Sequence, residues 1–347
     1  MMIVKKKPLL FLVALCLSSA LFLNCQGAKK RQATDKPLIG FLMDSLIEER
    51  WARDRDIFIS SVKSYGGSVI VQIGEENAKT QEAQLQYLID QGVNSLVLIP
   101  NDPDLLTKAV QEAKKHGVPV LLYERIVHNG GADLYLAYDA IKVGELQAEY
   151  IVKTIKNGPV VIINGKKNDP IAASIHEGIY NILNPAIKSG TILVAEDYWV
   201  STGNSDEVAD IISDLIDKNI HFKAILAYND LYAEAAIRVL TLKRLAKKVA
   251  VAGADADLAA CQRIIEGTQT MTVYKPIETI AAKAAELAVY MARNERVTVH
   301  KAVFDGSYRV PYYQLEPIAV DATNLRQTVI KDGFHLEEEV YRNVGLK

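Results

Sequence analysis

Cysteine is scarce in this sequence, with three residues in 347. Cys16 and Cys25 lie in or beside an apolar amino-terminal run, which leaves Cys261 alone in the body of the chain. A single thiol excludes a disulfide framework and a cysteine metal site there. The six histidines are scattered without the spacing of metal ligands. We therefore expect neither a metal nor another cofactor.

The sequence also lacks the short motifs of common enzyme classes. It has no G-x-x-x-x-G-K-[ST], G-x-S-x-G or H-E-x-x-H motif, and no dinucleotide fingerprint follows the first predicted strand. Asp255 and Asp257 are a weak catalytic signal, because residues i and i+2 at a strand end point opposite ways. These absences argue against an enzyme.

Excess positive charge is missing as well. The net charge is −2, and it becomes −5 without residues 1–24, which carry three lysines and no acidic residue. A mildly acidic protein has no electrostatic basis for binding nucleic acid.

The amino terminus has the three-part layout of a secretory signal. Three lysines at 5–7 precede an apolar run at 8–23, and Cys25 follows. A lipoprotein signal peptidase would leave a cysteine at this place as an acylated first residue, although Asn24 replaces the usual small residue before it. The run of about 16 residues is short for a membrane span of ~20. We expect a signal peptide at 1–24 and a lipidated tether at 25–36, which place a lipoprotein in the periplasm with lipid as its only membrane contact. An uncleaved anchor helix and a plain secreted protein remain as alternatives.

From residue 37 onward, short β-branched runs alternate with amphipathic stretches. The pattern predicts buried strands at 38–43, 68–74, 95–100 and 118–124, with helices at 48–64, 80–91 and 104–116 between them. It then restarts, with strands at 159–164, 192–197, 222–229 and 249–255 and helices near 170–183, 206–217, 231–242 and 258–266. Two such runs predict an α/β protein with two doubly wound parallel-sheet lobes.

No linker rich in Pro, Gly or Ser separates the two halves, so we expect hinge strands to join them. Residues 270–317 are too few for a third domain and should complete both sheets, with a helix at 277–293. The predicted N-terminal lobe is 37–139 plus 276–308, the C-terminal lobe is 140–275 plus 309–335, and 336–347 is a tail. Such hinges permit closure around a ligand. A monomer is expected, because the lobe surfaces are needed for closure and docking.

Polar and planar side chains gather at the predicted strand ends, where ligands of open α/β sheets lie. They are Arg50, Trp51, Glu124, Arg125, Asn229, Asp255 and Lys275. Hydroxyl-rich sugars need this mixture, because carboxylates and amide oxygens accept hydrogen bonds, Arg and Lys donate them, and an aromatic face covers C–H groups. Each residue alone also fits a structural role as a solvated charge, a helix N-cap or a core aromatic.

Five segments resemble the periplasmic D-xylose-binding proteins, which are type I periplasmic sugar-binding proteins. They are ERWARDRDIF (49–58), VGELQAEYIV (143–152), GADADLAACQRI (253–264), GTQTMTVYKP (267–276) and TVIKDGFH (328–335). The resemblance implies the type I periplasmic binding protein fold and a receptor without catalytic activity that hands a monosaccharide, D-xylose or a related aldose, to the permease of an ABC importer. It also implies sugar contacts at Arg50, Trp51, Arg125, Asn229, Asp255 and Lys275, with Trp51 as a stacking platform.

Three positions depart from the family pattern. Glu124 replaces an Asp, Ile171 falls where the family has a polar Asn, and the second stacking Trp falls near Thr202, with Trp199 just upstream. Each change could alter selectivity by roughly 1–3 kcal/mol. A monosaccharide is therefore a stronger prediction than xylose. A sensory receptor that docks on a chemoreceptor, a nucleoside receptor and a surface adhesin remain alternatives, whereas the export signal argues against a transcription regulator.

Overall fold

A computed structural model describes residues 34–46 and 49–344. The expected signal peptide, the lipidation site Cys25 and the tether up to residue 33 lie outside the described residues.

The described residues form thirteen strands and ten α-helices. The strands are β1 (Leu38–Met43), β2 (Ser68–Ile73), β3 (Ser95–Leu98), β4 (Val120–Tyr123), β5 (Leu134–Tyr138), β6 (Gly158–Asn164), β7 (Ile192–Trp199), β8 (Ala224–Ala227), β9 (Ala250–Ala252), β10 (Thr272–Tyr274), β11 (Lys301–Phe304), β12 (Arg309–Leu315) and β13 (Ile318–Val320). The helices are α1 (Glu49–Ser64), α2 (Ala78–Asp90), α3 (Thr107–Lys115), α4 (Ala140–Ile155), α5 (Pro170–Lys188), α6 (Ser205–Asp217), α7 (Asp230–Leu242), α8 (Leu258–Glu266), α9 (Ile277–Ala292) and α10 (Glu337–Val340).

Two main sheets divide the chain into two lobes. The first has the order β11-β12-β5-β4-β3-β1-β2 and is parallel except for the β11–β12 pair. The second is parallel with the order β7-β6-β8-β9, and β10 pairs antiparallel with β13 beside it. This topology confirms the predicted fold class.

Both sheets are covered by helices on both faces, as their nearly unbroken apolar strands require. In β6, Val161 and Ile163 pack toward α6 and α7, while Val160 and Ile162 pack toward α4 and α5. Successive strand side chains point to opposite faces, so one strand serves two cores. In the first lobe, α1 and α9 cover one face and α2 and α3 the other.

Helices α4 and α5 approach each other closely through two glycines. A Cβ atom on Gly144 would lie 1.9 Å from the Ile175 carbonyl oxygen, and one on Gly178 would lie 1.9 Å from the Ile141 carbonyl oxygen. A side chain at either position would therefore push the two helix backbones apart.

The structure corrects two expected boundaries near the carboxyl end. Residues 309–315 were expected in the C-terminal lobe, but they form β12 of the first sheet. A short turn after β11 brings β12 back antiparallel to β11, and the other edge of β12 pairs with β5. Residues 336–347 were expected to be a tail, but α10 packs on α8 and Val340 is buried against Cys261. Val340, which is the one apolar residue of α10, and Tyr341 just after the helix pack into the cluster around Cys261 and explain this docking.

The described chain crosses between the lobes three times, at residues 138–140, 275–277 and 315–318, which together we call the hinge. The Tyr138 hydroxyl donates to the Pro276 carbonyl oxygen at 2.6 Å, and the Asp139 N–H donates to the Leu315 carbonyl oxygen at 2.9 Å. The three crossing segments are thus bonded to each other. No helix in the described residues is long and apolar enough to cross a membrane.

Candidate ligand-binding site

The first-lobe part of the site is built around Arg50, in the first turn of α1. Its Nη2 donates to Glu124 Oε1 at 3.1 Å, and its Nε donates to Asp54 Oδ2 at 3.3 Å. Burial alone lowers the pKa of Arg50, but the carboxylates of Glu124 and Asp54 outweigh it and raise the pKa above its ordinary value. The guanidinium is therefore fixed between two anionic groups.

Trp51 lies directly beside these charges. Its side chain is only 4% exposed and packs into the first-lobe core. The Arg50 guanidinium carbon lies 4.3 Å from the centre of the indole ring, and that of Arg125 lies 5.7 Å from it. Two cations close to the ring give cation–π attraction and hold the indole in place.

Arg125 follows β4 and points toward the end of β1. Its Nη1 donates to Asp44 Oδ2 at 2.6 Å and to the Pro100 carbonyl oxygen at 3.3 Å. The other Asp44 oxygen accepts from Asn101 Nδ2 at 2.9 Å. The Arg125 side chain remains 39% exposed, so part of its fork can still meet a ligand.

Sequence reasoning missed two buried residues beneath Arg50. The Asp54 carboxylate is fully buried and accepts a hydrogen bond from the Tyr123 hydroxyl as well as from Arg50. Burial raises the pKa of Asp54 to about 6, although Arg50 acts to lower it. The i, i+4 spacing of Arg50 and Asp54 on α1 was a signal that could have revealed this pair.

The second-lobe part of the site combines three predicted residues. Asn229 caps α7, where its Oδ1 accepts from the Tyr232 N–H at 3.0 Å. Asp255 follows β9 in a left-handed conformation with φ 103°, and its Oδ1 lies 2.6 Å from Lys275 Nζ. A helix N-cap is the structural role that the sequence predicted for Asn229. This role uses the amide oxygen of the side chain and not its amide nitrogen.

Lys275 links the two parts of the site, because it lies at the hinge. Burial alone lowers the pKa of Lys275, but the Asp255 and Glu124 carboxylates outweigh it and raise the pKa, while Arg50 acts in the opposite direction. Glu124 and Arg50 of the first lobe are therefore within electrostatic reach of Lys275. The structure thus groups Arg50, Trp51, Glu124 and Arg125 on the first lobe and pairs Asp255 of the second lobe with Lys275 at the hinge.

Tyr228 and Asp169 also line the second lobe near Asp255, and sequence reasoning did not select either. The Tyr228 hydroxyl donates to Asp169 Oδ2 at 2.8 Å. Burial raises the pKa of Tyr228, and the Asp169 and Asp255 carboxylates add to the rise. The proximity of Tyr228 to Asp255 follows from the pairing of β8 and β9.

Of the three departures from the family pattern, Glu124 lies on the first lobe and the other two lie on the second. Ile171, in the first turn of α5, is 43% exposed. Trp199, at the end of β7, packs against His176 with 5.0 Å between ring centroids. The Thr202 hydroxyl donates to Glu207 Oε2 at 2.6 Å. Among the described residues, no group of three or more His, Cys, Asp and Glu side chains could hold a metal ion.

Comparison with known proteins agrees with this architecture. Residues 39–296 match the family model of the periplasmic binding protein domain. The chain is 41% identical to a D-xylose-binding periplasmic protein of Haemophilus influenzae over 304 residues, which cover 87% of this chain and 92% of that protein. It is 38% identical to a D-xylose-binding periplasmic protein of Escherichia coli, with 94% of this chain and 98% of that protein covered.

A solved structure shares the fold at lower identity. The carbohydrate transporter solute-binding protein of Chloroflexus aurantiacus, in complex with D-glucose, superposes with a TM-score of 0.74 at 24% identity, covering 88% of this chain and 98% of that one. The family match and the two relatives at 41% and 38% identity show that the chain belongs to the periplasmic binding protein family, among the relatives of the D-xylose-binding periplasmic proteins.

Proposed function

We propose that this protein is the substrate-binding component of an ABC sugar importer and binds one monosaccharide, D-xylose or a related aldose, between its lobes. The observation that carries the proposal is the set of two ion pairs at strand ends of the two lobes, Arg50–Glu124 at 3.1 Å in the first lobe and Lys275–Asp255 at 2.6 Å at the hinge. The 41% identity to a protein named for D-xylose binding supports the choice of sugar.

The side chains at the cleft match the chemistry of a sugar. Arg50, Arg125 and Lys275 present N–H groups to ring and hydroxyl oxygens, while Glu124 and Asp255 accept from hydroxyl groups. Asn229 can donate through its amide nitrogen, because its oxygen is used by the helix cap. Trp51, which lies beside the Arg50 and Arg125 guanidinium groups, is the aromatic side chain that would meet the C–H surface of the ring.

Binding is coupled to closure of the cleft. A sugar that contacts both lobes has more bonds in the closed state than in the open state, so its binding free energy shifts the population toward closure. The closed receptor then presents both lobes to the permease, and the same surface could serve a chemoreceptor in a sensory role.

The proposal also includes a lipid anchor on Cys25. After cleavage behind residue 24, a lipid on Cys25 holds the receptor at the membrane by its acyl chains, with the segment up to residue 36 as a tether. More than one acyl chain makes such anchoring firm. The receptor acts in the periplasm as a monomer and releases its sugar unchanged, so it has no turnover.

Calorimetric titration of residues 26–347 tests the ligand. D-xylose, D-glucose, D-galactose, D-ribose and L-arabinose form the panel, with a nucleoside as the alternative ligand. We expect tight binding of one pentose or hexose that Arg125→Ala and Asp255→Ala each weaken by at least about tenfold. Arg238→Ala serves as the control, because that exposed arginine pairs with Asp206 away from the cleft.

Two results would contradict the proposal. A folded protein that binds no sugar in the panel excludes the monosaccharide class, and binding of the nucleoside alone reassigns the ligand. Mass spectrometry of the membrane-extracted protein tests the anchor, since a mature chain that begins at an unmodified residue would exclude lipidation.

A further inference from the structure

A network of hydrogen bonds lies behind the loop that carries Asp255. Asp230, the first residue of α7, has a fully buried carboxylate. Its Oδ1 accepts from Gln269 Nε2 at 2.7 Å. Its Oδ2 accepts from the Thr272 hydroxyl at 2.9 Å and from the Asp257 N–H at 3.0 Å. All of these partners donate to the carboxylate, so the buried group is well satisfied.

The loop has an unfavourable backbone conformation. Asp255 has φ 103° and Ala256 has φ 57°, so two successive residues with side chains adopt positive φ. Such conformations persist only where the surrounding structure holds them. The N–H groups of residues 255, 256 and 257 are each bonded, to the Val273 carbonyl oxygen at 2.8 Å, to Thr272 Oγ1 at 3.1 Å and to Asp230 Oδ2 at 3.0 Å.

Gly253, which begins the loop, lies directly against the same Asp230 carboxylate. A Cβ atom on Gly253 would lie 2.1 Å from Asp230 Oδ1 and 2.9 Å from Gln269 Nε2. Only glycine leaves room for the Asp230 oxygen at this place. The carboxylate therefore contacts the loop at residue 253 and at residue 257, on both sides of Asp255.

We propose that Asp230 and Thr272 are positioning residues for the sugar site, which hold the 255–257 loop so that Asp255 meets Lys275 in the cleft. The inference rests on the proposed function, since it assigns a role within the same site. Asp230 lies behind the loop and acts through Asp255. If Asp230 and Thr272 only stabilised the start of α7, replacing them would lower the stability of the protein but leave the sugar affinity of the folded protein unchanged.

The pair Thr272→Val and Thr272→Ser provides the test. Valine has the shape of threonine but lacks the hydroxyl group that bridges Asp230 and the Ala256 N–H, whereas serine keeps it. By calorimetry on residues 26–347, we expect Thr272→Val to weaken D-xylose binding about tenfold or more and Thr272→Ser to stay within about threefold of wild type. Asp230→Asn should act like Thr272→Val, because its amide NH2 would face other donors. Thermal unfolding identifies the variants that fold.

Crystal structures of the wild type and Thr272→Val give a second measurement that does not need a ligand. We expect Asp255 to leave the positive-φ region in the variant and its distance to Lys275 Nζ to increase. An unchanged φ and an unchanged ion pair would overturn the inference, as would equal D-xylose affinity of wild type and Thr272→Val. A wild type that binds no sugar refutes the proposed function instead, and the two crystal structures still decide whether Thr272 positions Asp255.

Discussion

Asp255 Oδ1 lies 2.6 Å from Lys275 Nζ, so the two side chains form an ion pair. Asp255 follows β9 of the second sheet, whereas Lys275 directly follows β10 and begins the hinge segment that leads to α9. The pair therefore joins a cleft side chain to the segment that must bend during closure. A ligand hydroxyl that bonds to both groups would also fix the hinge, which links recognition to motion.

Replacing Lys275 by glutamine should weaken sugar binding by about 10- to 100-fold, because hydrogen bonds from a charged donor contribute about 1.5–3 kcal/mol. The Asp255 carboxylate would also lose its cation. Calorimetric titration with D-xylose measures the change. Lys218→Gln is the control, since that exposed lysine pairs with Asp214 on α6. Equal losses in both variants, or none in Lys275→Gln, would exclude a direct role of Lys275.

Asp54 should make the stability of the protein depend on pH in a specific direction. Its folded-state pKa is raised to about 6 from 3.8, so the folded protein binds a proton here that the unfolded chain has lost. This contribution is fully present below about pH 4 and is lost as the pH rises through 6. Relative to Asp54→Asn, the wild type should gain stability when the pH falls from 7 to 4.5. Unfolding midpoints at several pH values test this, and a constant difference between the two proteins would contradict it.

Glu207 should show the opposite dependence. Burial alone raises its pKa, but hydrogen bonds from the backbone and hydroxyl groups of Ser201 and Thr202 outweigh it and lower the pKa to about 2. The stabilisation is present above pH 4.5 and is lost as the pH falls toward 2. Glu207→Gln should therefore lower the unfolding midpoint at pH 7 and have a smaller effect at pH 3. Glu82→Gln, on an exposed face of α2, is the control. An equal decrease of the unfolding midpoint by Glu207→Gln at pH 7 and pH 3 would contradict this prediction.

Gly178→Ala should destabilise the second lobe by about 3 kcal/mol or more, because its Cβ would overlap the Ile141 carbonyl oxygen across the α4–α5 contact. Denaturant unfolding measures the change in free energy. Glu177→Ala, at the neighbouring exposed position of α5, should change stability by less than about 0.5 kcal/mol. A Gly178→Ala variant with the same free energy of unfolding as the wild type would mean that α4 and α5 can move apart at little energetic cost.

Hydrophobic periodicity was sufficient to predict most strands and helices, but it missed β5, β13, α4 and α10. β5 follows β4 after a loop without a helix, so the search for alternating strands and helices passed over it. α4 contains Gly144 and several β-branched residues, which lower helix propensity, and its contact with α5 supplies the missing stabilisation. The lobe assignment of β12 also depended on a tertiary pairing, because either sheet could have accepted the strand.

The site was predictable where it lies at strand ends. Reasoning from topology selects residues such as Glu124 and Asp255 without any contact information. It does not find Asp54, and it places Asp230 at a strand end without choosing it as a site residue, because a carboxylate near a helix start is usually a cap or a solvated charge. Only the packing of distant elements, here Tyr123 over Asp54 and Thr272 over Asp230, turns these groups into buried anchors.

The placement of β12 bears on how the chain folds. The Tyr312 hydroxyl contacts the Ala137 carbonyl oxygen, 175 residues earlier in the sequence, with the whole second main sheet between them. Helix α9, which covers one face of the first sheet, also follows that insertion. The first lobe therefore cannot be completed until almost the entire chain is available, whereas the four-stranded sheet of the second lobe is continuous in sequence. Long loop closures of this kind slow folding, so the second lobe should acquire protection from hydrogen exchange first during refolding, and the first lobe should follow.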